Sequence, residues 1–471
     1  MSTQQLERSI GLRLVIVIVV GNIIGSGVYK KIAPMAAELH SSGWVLVCWL
    51  LAGIISLFGA LSNAEVAGLL ANTGGEYSYY QRIYNRFFAF MFGWSLFAVI
   101  QTAAISSLAY VFAQSLHSIV PLPPVLTAWA DVHVAGLFYP FADFNVKLTA
   151  IVLIVVLTLL NNLGLKAGTG FGTAILLLVF AGILLIILFG LSSQLDRLNT
   201  ISLVPPAGEP ITLSAIFTAM MSAFWAYQGW ATVGYIGGEV RDAHRNIPRG
   251  ISIGVLFIIG LYLLVNLTYL LLLSVPELIE VHQLGNRIAA IEAMRSLWGD
   301  AGAVFISVLI LISTLGCTNA TILASCRTYY AMALEGRFFR SVARLNRFHV
   351  PARSLLFQAV WASLLVLSGT FDQLTDMIIF AVFIFYGATT LGVFILRRTL
   401  PDAPRPYKVW GYPVVPGLVI LFCAGLILNT FFSHPREAVM GLVLILTGVP
   451  MYLWFTRTRR ATPEPRLEQE R

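Results

Sequence analysis

An apolar run that begins at Leu14 does not stay apolar long enough to make a plain membrane anchor. Leu14–Val20 runs straight into Gly21-Asn22-Ile23-Ile24-Gly25-Ser26-Gly27-Val28-Tyr29. Each glycine inside a helix costs about 1 kcal/mol relative to alanine. In lipid, backbone groups freed by a break are costly unless protein or a water-filled cavity satisfies them. A chain tolerates this where the open backbone has a task. The usual task is to hold a small polar solute near the bilayer midplane.

The surroundings of that segment are membrane-like throughout. Hydrophobic residues make up 58% of the 471-residue chain and charged residues only 11%. Soluble domains carry about 25% charged residues, so the composition reads as a polytopic membrane protein. The polar start Met1–Arg13 lacks the short apolar core and small-residue cleavage site of a signal peptide. Cys48, Cys317, Cys326 and Cys423 all fall in apolar runs and read as buried packing thiols. The histidines form no zinc-like spacing.

Twelve runs approach the roughly 20 residues needed to span a bilayer: 11–39, 43–70, 88–118, 146–163, 170–192, 212–238, 251–274, 301–333, 354–370, 374–397, 412–432 and 437–456. An even number places both termini on one side. With the termini in the cytoplasm, the opposite side holds Lys30, Lys31, Lys147, Arg197, Arg287, Arg295 and Arg436, and Arg327 lies within span eight. All other Lys and Arg fall on the cytoplasmic side, as the positive-inside rule requires. This placement accounts for a basic pI of about 9.4 without a nucleic acid partner.

Span one is interrupted at Gly25-Ser26-Gly27 and span six at Trp225-Ala226-Tyr227-Gln228-Gly229-Trp230. These spans open two consecutive five-helix groups, 11–192 and 212–397, joined by an extracellular connection, 193–211. The groups enter the membrane from opposite sides. Interrupted helices at matching positions point to an inverted-repeat transporter with its solute site at the breaks. Residues 398–456, with spans eleven and twelve, lie outside the repeat. The segments 1–10 and 457–471 are cytoplasmic tails.

Each motif has a functional and a packing reading. Open amides near Gly25, Ser26 and Gly27, with the Ser26 hydroxyl, suit a carboxylate at the positive end of a half-helix; close helix packing through small residues is the other explanation. Unwound carbonyls within Phe224-Trp225-Ala226-Tyr227-Gln228-Gly229-Trp230 suit an ammonium group. Trp225 could close over the solute as a gate or fill space between helices, and Tyr227 and Trp230 read as packing. In span eight, Asn319, Thr321 and Ser325 must face protein or water, with back-bonding to their own helix as the default. Glu239 could latch the cytoplasmic side through a loop arginine or sit solvated at the interface. Gly168-Thr169-Gly170-Phe171-Gly172 lacks the strand and GK[ST] of a nucleotide loop. No enzyme signature appears.

Together the motifs resemble the amino acid–polyamine–organocation superfamily, most closely its L-type amino acid transporter branch and bacterial relatives. The first-helix signature is Ile23-Ile24-Gly25-Ser26-Gly27-Val28-Tyr29. Gly74-Gly75-Glu76-Tyr77-Ser78-Tyr79-Tyr80 with Gly93-Trp94 follows. The span-six core, Glu239 with Asn246-Ile247-Pro248, the Asn319 to Arg327 helix, and Arg405-Pro406-Tyr407-Lys408-Val409-Trp410-Gly411-Tyr412-Pro413 complete the match.

The resemblance implies an all-α, leucine-transporter-like membrane fold. Twelve helices would form a five-plus-five inverted repeat with helices one and six broken, followed by two further helices. It implies a substrate carboxylate at Gly25, Ser26 and Gly27, and an ammonium at carbonyls near Ile23, Ile24, Trp225, Ala226 and Gln228. Trp225 takes the place of an aromatic gate, and Thr321 that of a small polar residue near the substrate or a cation-like site. Many relatives carry a span-five lysine whose ammonium replaces a sodium ion; Phe171–Leu191 contains none, with Leu178-Val179-Phe180 in the equivalent region. A sodium ion held by span-one carbonyls with Thr321 and Ser325, proton coupling, and exchange through a neutral site all fit these residues.

The expectation is a plasma-membrane secondary transporter, not an enzyme, for amino acids, with a preference for neutral ones. The alternative is a sensor or channel-like protein of the same fold. No cofactor or metal is expected. The sequence assigns no accessory subunit, since Cys48 lies within span two and is poorly placed for an extracellular disulfide.

Overall fold

The computed structural model describes residues 10–70, 75–134, 136, 138–164, 169–206, 208–231, 240–348, 350–405 and 407–460. Among them the backbone is helical apart from turns and two isolated bridges, Ile10 to Val240 and Val134 to Phe138. Span one is α1 (Leu12–Ile23), α2 (Gly27–Lys30) and α3 (Ile32–Leu39). α4 (Ser42–Leu69) leads to a short connecting helix, α5 (Gly75–Ile83). Span three is α6 (Arg86–Ser95), a π turn over Leu96–Ile100, and α7 (Gln101–Ile119). Then come α8 (Phe144–Asn162), α9 (Thr169–Gln194), α10 (Leu213–Tyr227), α11 (Ala243–Leu272), α12 (Val275–Leu284) and α13 (Ala289–Leu334). The chain finishes with α14 (Ala352–Ser368), α15 (Phe371–Thr399), α16 (Val414–Ser433), α17 (Pro435–Leu446) and α18 (Gly448–Arg460).

Nine helical segments among the described residues are long and apolar enough to cross a membrane. Three shorter apolar helices accompany them: Leu12–Ile23, Leu213–Tyr227 and Ala352–Ser368. The first two are short because they stop at the breaks. Leu177, Leu188 and Phe432 are 63%, 64% and 84% exposed. Such large apolar side chains, on helices that carry few polar groups, form a lipid-facing rim rather than a water-facing one.

The polar and small residues turn inward. α1 lies along α11, where a Cβ on Gly250 would stand 2.4 Å from Val15 and one on Gly254 2.7 Å from Val19. Glycines four apart on one helix face let two backbones approach, the means by which helices associate without water to drive them. α4 packs on α11 and α10, and α7 runs along α13 and α8. α15 lies against α16, α4 and α7. Cys48, Cys326 and Cys423 are buried free thiols, whereas Cys317 is only partly buried.

Two connections that read as loops contain helices. α12 begins with Pro276 in its first turn and a capping box, in which the Glu277 carboxylate accepts from the Ser274 amide at 2.7 Å. α5 begins at Gly75 and carries Glu76, Tyr77, Tyr79 and Tyr80, with Tyr84 just after it. Its tyrosines reach span ten: the Tyr80 hydroxyl donates to the Phe385 carbonyl at 2.9 Å and Tyr84 to the Ala388 carbonyl at 2.6 Å. α13 begins before its membrane portion and is kinked at Trp298 and Gly299.

Candidate binding site between two broken helices

α1 stops at Ile23. Ile24 turns extended, at φ −69° and ψ 107°, and Ser26 caps the restart of the helix at Gly27. α10 stops at Tyr227 in the same way. Gln228 is extended, at φ −68° and ψ 148°, and Gly229 has φ +124°. That φ is open to glycine and strained for any residue with a Cβ.

The two breaks lie against each other. A Cβ on Gly229 would stand 2.2 Å from the Asn22 carbonyl oxygen, and one on Gly27 2.6 Å from the Ala226 Cα. Glycine is the residue that fits at either place. Gly25 differs: the nearest atom to a Cβ there is the Ile23 carbonyl oxygen, at 4.0 Å. The face of Gly25 is therefore open, and an extended solute can approach its backbone.

Side chains pin the arrangement from two directions. The Trp225 indole Nε1 donates to the Ser26 hydroxyl at 3.2 Å. From α11, the Tyr262 hydroxyl stands 3.1 Å from the Ile23 carbonyl and 3.1 Å from the Ala226 carbonyl. One phenol proton thus serves the last carbonyls of both half-helices, which no intrahelical amide can reach. Trp49 packs edge-on against Tyr262 and holds it there. Sequence reasoning missed Tyr262, which shares its span with a second tyrosine, Tyr269, and with Asn266 and Thr268, so nothing local sets it apart.

A charged roof covers the side reached by α2 and α3. Phe371 meets Trp225 edge to face, with ring centroids 6.1 Å apart. The Lys30 and Lys31 ammoniums lie 4.9 and 5.0 Å from the Phe371 centroid, cation–π distances. Lys31 bonds Asp372 and Thr375, each at 2.7 Å, with Asp376 at 3.6 Å. Lys30 donates to Gln114 at 2.7 Å, and Gln114 donates to the Gly285 carbonyl at the end of α12 at 2.9 Å. On the sequence, both lysines count as charges of the extracellular side. The structure buries both inside the protein, with the carboxylates of α15 beside Lys31 and Gln114 of α7 beside Lys30.

Span eight presents its hydroxyls to its own backbone. Thr321 Oγ1 donates to the Cys317 carbonyl at 2.8 Å. Ser325 Oγ stands 2.6 Å from the Thr321 carbonyl and 2.8 Å from Gln358 Oε1 on α14. Asn319 accepts from Asn161 of α8 at 2.7 Å. Glu239 lies outside the described residues.

Two helix ends thus meet beside the open face of Gly25, under the cluster of Lys30, Lys31 and Phe371. Residues 10–455 match the profile of the family described as "Amino acid permease". The chain belongs to the amino acid permease family.

The permease is similar along nearly its whole length to the serine/threonine exchanger SteT of Bacillus subtilis (strain 168). The two are 29% identical over 95% of this chain and 96% of SteT. It is 27% identical to the human b(0,+)-type amino acid transporter 1, over 96% of this chain and 89% of that one. It is 30% identical to the mouse large neutral amino acids transporter small subunit 2, over 95% and 81%. The permease is accordingly a multi-pass membrane transport protein and not an enzyme.

Proposed function

We propose that this permease is a secondary transporter that moves amino acids, chiefly neutral L-amino acids, across the plasma membrane by alternating access. The observation that carries the reading is the back-to-back meeting of the two helix breaks, joined by the Trp225 to Ser26 hydrogen bond. A zwitterion matches such a site at both ends. The amides and hydroxyl at Gly25, Ser26 and Gly27 take its carboxylate. Carbonyls at Ile23, Ile24, Trp225, Ala226, Gln228 and Gly229 take its ammonium. Trp225 closes over the bound solute, and Glu239 helps to latch the cytoplasmic end.

The architecture in this reading is twelve spans in a five-plus-five inverted repeat with two further helices, and both termini are cytoplasmic. The matching breaks and the asymmetry of Lys and Arg support it. Exchange is the favoured coupling, since the Bacillus relative is by name an exchanger. Thr321 and Ser325 are the positions to question if sodium drives uptake instead, because their oxygens keep lone pairs after back-bonding.

Ser26→Leu and Gly27→Val test the site. Both should abolish uptake while leaving membrane insertion intact. Normal transport by either variant would remove the span-one site from this reading.

A further inference from the structure

Four acidic side chains are buried among the described residues: Glu65, Glu76, Asp376 and Glu437. Three of them stand beside a cation. Glu65 is 2.7 Å from Arg397, Glu437 is 2.9 Å from Arg436, and Asp376 is 3.6 Å from Lys31. Glu76 has no cation at ion-pair distance among the described residues. Its carboxylate accepts one hydrogen bond there, from Asn63 Nδ2 at 3.3 Å.

Glu76 sits in the first turn of α5, outside the membrane spans, where α4 and α15 pack on that helix. The titratable groups within its electrostatic reach are Tyr79 on its own helix and Tyr386 on α15. Tyr386 in turn packs on Trp230, just beyond the break in span six, with centroids 4.6 Å apart. The neighbouring charges are turned elsewhere. Glu65 on α4 and Arg397 on α15 bind each other, and Arg405 stands 3.7 Å from Glu65. Arg337, at the end of α13, donates to the Tyr77 hydroxyl. Arg82 and Arg86 are exposed.

An ionised carboxylate placed this way lacks both water and counter-charge, whereas a neutral carboxyl avoids that cost. Burial pushes Glu76 up to about 7 from its ordinary 4.5. We propose that Glu76 is a proton-binding site of the permease: it holds a proton while α4, α5 and α15 are packed as seen here and gives it up when that junction opens to water.

The proposal rests on the transporter reading for its activity readout. Between pH 4.5 and about 7 the packed junction binds one more proton than the opened one. Acid therefore favours the packed form, and each pH unit of rise in that window favours opening by up to about tenfold. Above the upper value both forms are ionised and the effect levels off.

The test is amino acid exchange by the full-length protein in proteoliposomes, with equal pH on both sides, stepped from about 4 to about 8 to bracket the window. The wild type should speed up severalfold and then level off. Glu76→Gln should give a flat profile near the wild-type acid rate. Asn63→Leu removes the hydrogen bond that favours the ionised form, so its midpoint should move to higher pH. A Glu76→Gln profile with the wild-type slope, or an unmoved Asn63→Leu midpoint, would overturn the proposal. If no protein exchanges at any pH, the transport reading fails and the proton site is judged by thermal unfolding in detergent. The advantage of Glu76→Gln over wild type should then widen as pH rises through the same window, and a constant difference would overturn the proposal.

Discussion

Gly229 and Asn22 meet so closely that a Cβ on Gly229 would stand 2.2 Å from the Asn22 carbonyl oxygen. The breaks of spans one and six thus touch backbone to backbone. Gly229→Ala should shift the two breaks apart and reduce uptake at least tenfold, since φ +124° also disfavours alanine. Gly25→Ala has open space at 4.0 Å and should fold normally, losing affinity rather than expression. Uptake kinetics and size-exclusion profiles of the pair separate the two effects.

Tyr262 supplies one proton to two orphan carbonyls. Removing it with Tyr262→Phe takes away a net contribution of about 1 kcal/mol and leaves buried acceptors unmatched. The apparent KM should rise by about threefold to tenfold, with membrane insertion unchanged. An unaltered KM would mean that the two half-helices are positioned without this hydroxyl.

The roof should respond asymmetrically to substitution. Lys31→Gln leaves the buried Asp376 and the half-buried Asp372 without their shared ammonium, a change of the kind that costs up to about 3–5 kcal/mol. Asp372→Asn leaves Lys31 with Thr375 and Asp376 and should cost less. Thermal unfolding in detergent should therefore rank wild type above Asp372→Asn and Asp372→Asn above Lys31→Gln. The reverse order would contradict the assignment of Lys31 as the centre of the cluster.

At the other end of α15, Glu65 accepts from Arg397 at 2.8 and 2.7 Å and from the Val409 amide at 2.6 Å. Both carboxylate oxygens are used: the pair ties span two to the end of span ten, and the Val409 amide ties it to the segment that follows. Glu65→Gln should lower the unfolding temperature and loosen residues 407–413, seen as faster proteolysis there. Unchanged proteolysis would show that the segment is held by its other contacts.

What the sequence makes legible follows from the range of each interaction. Helix positions depend on local hydropathy, so the run 43–70 and the helix Ser42–Leu69 agree, as do 374–397 and Phe371–Thr399. The breaks are legible because glycine and serine are costly inside a membrane helix. α5 and α12 are not, because short amphipathic helices in polar connections carry no long apolar run. Tyr262 and Ile23 are 239 residues apart, and Lys31 and Asp372 341 apart. Neither pairing leaves a local pattern. The lysine pair in particular counts only as charge on one side of the membrane until α15 is seen to pack beside it.

The central claim is that this permease moves amino acids through the site between the two breaks. The most direct measurement is radiolabelled neutral amino acid uptake into proteoliposomes of purified protein, with and without internal amino acid and with and without a sodium gradient. The account predicts uptake into preloaded vesicles, little into empty ones, indifference to sodium, and loss of the signal with Gly27→Val. Binding without flux in every arrangement, or full activity of Gly27→Val, would contradict it.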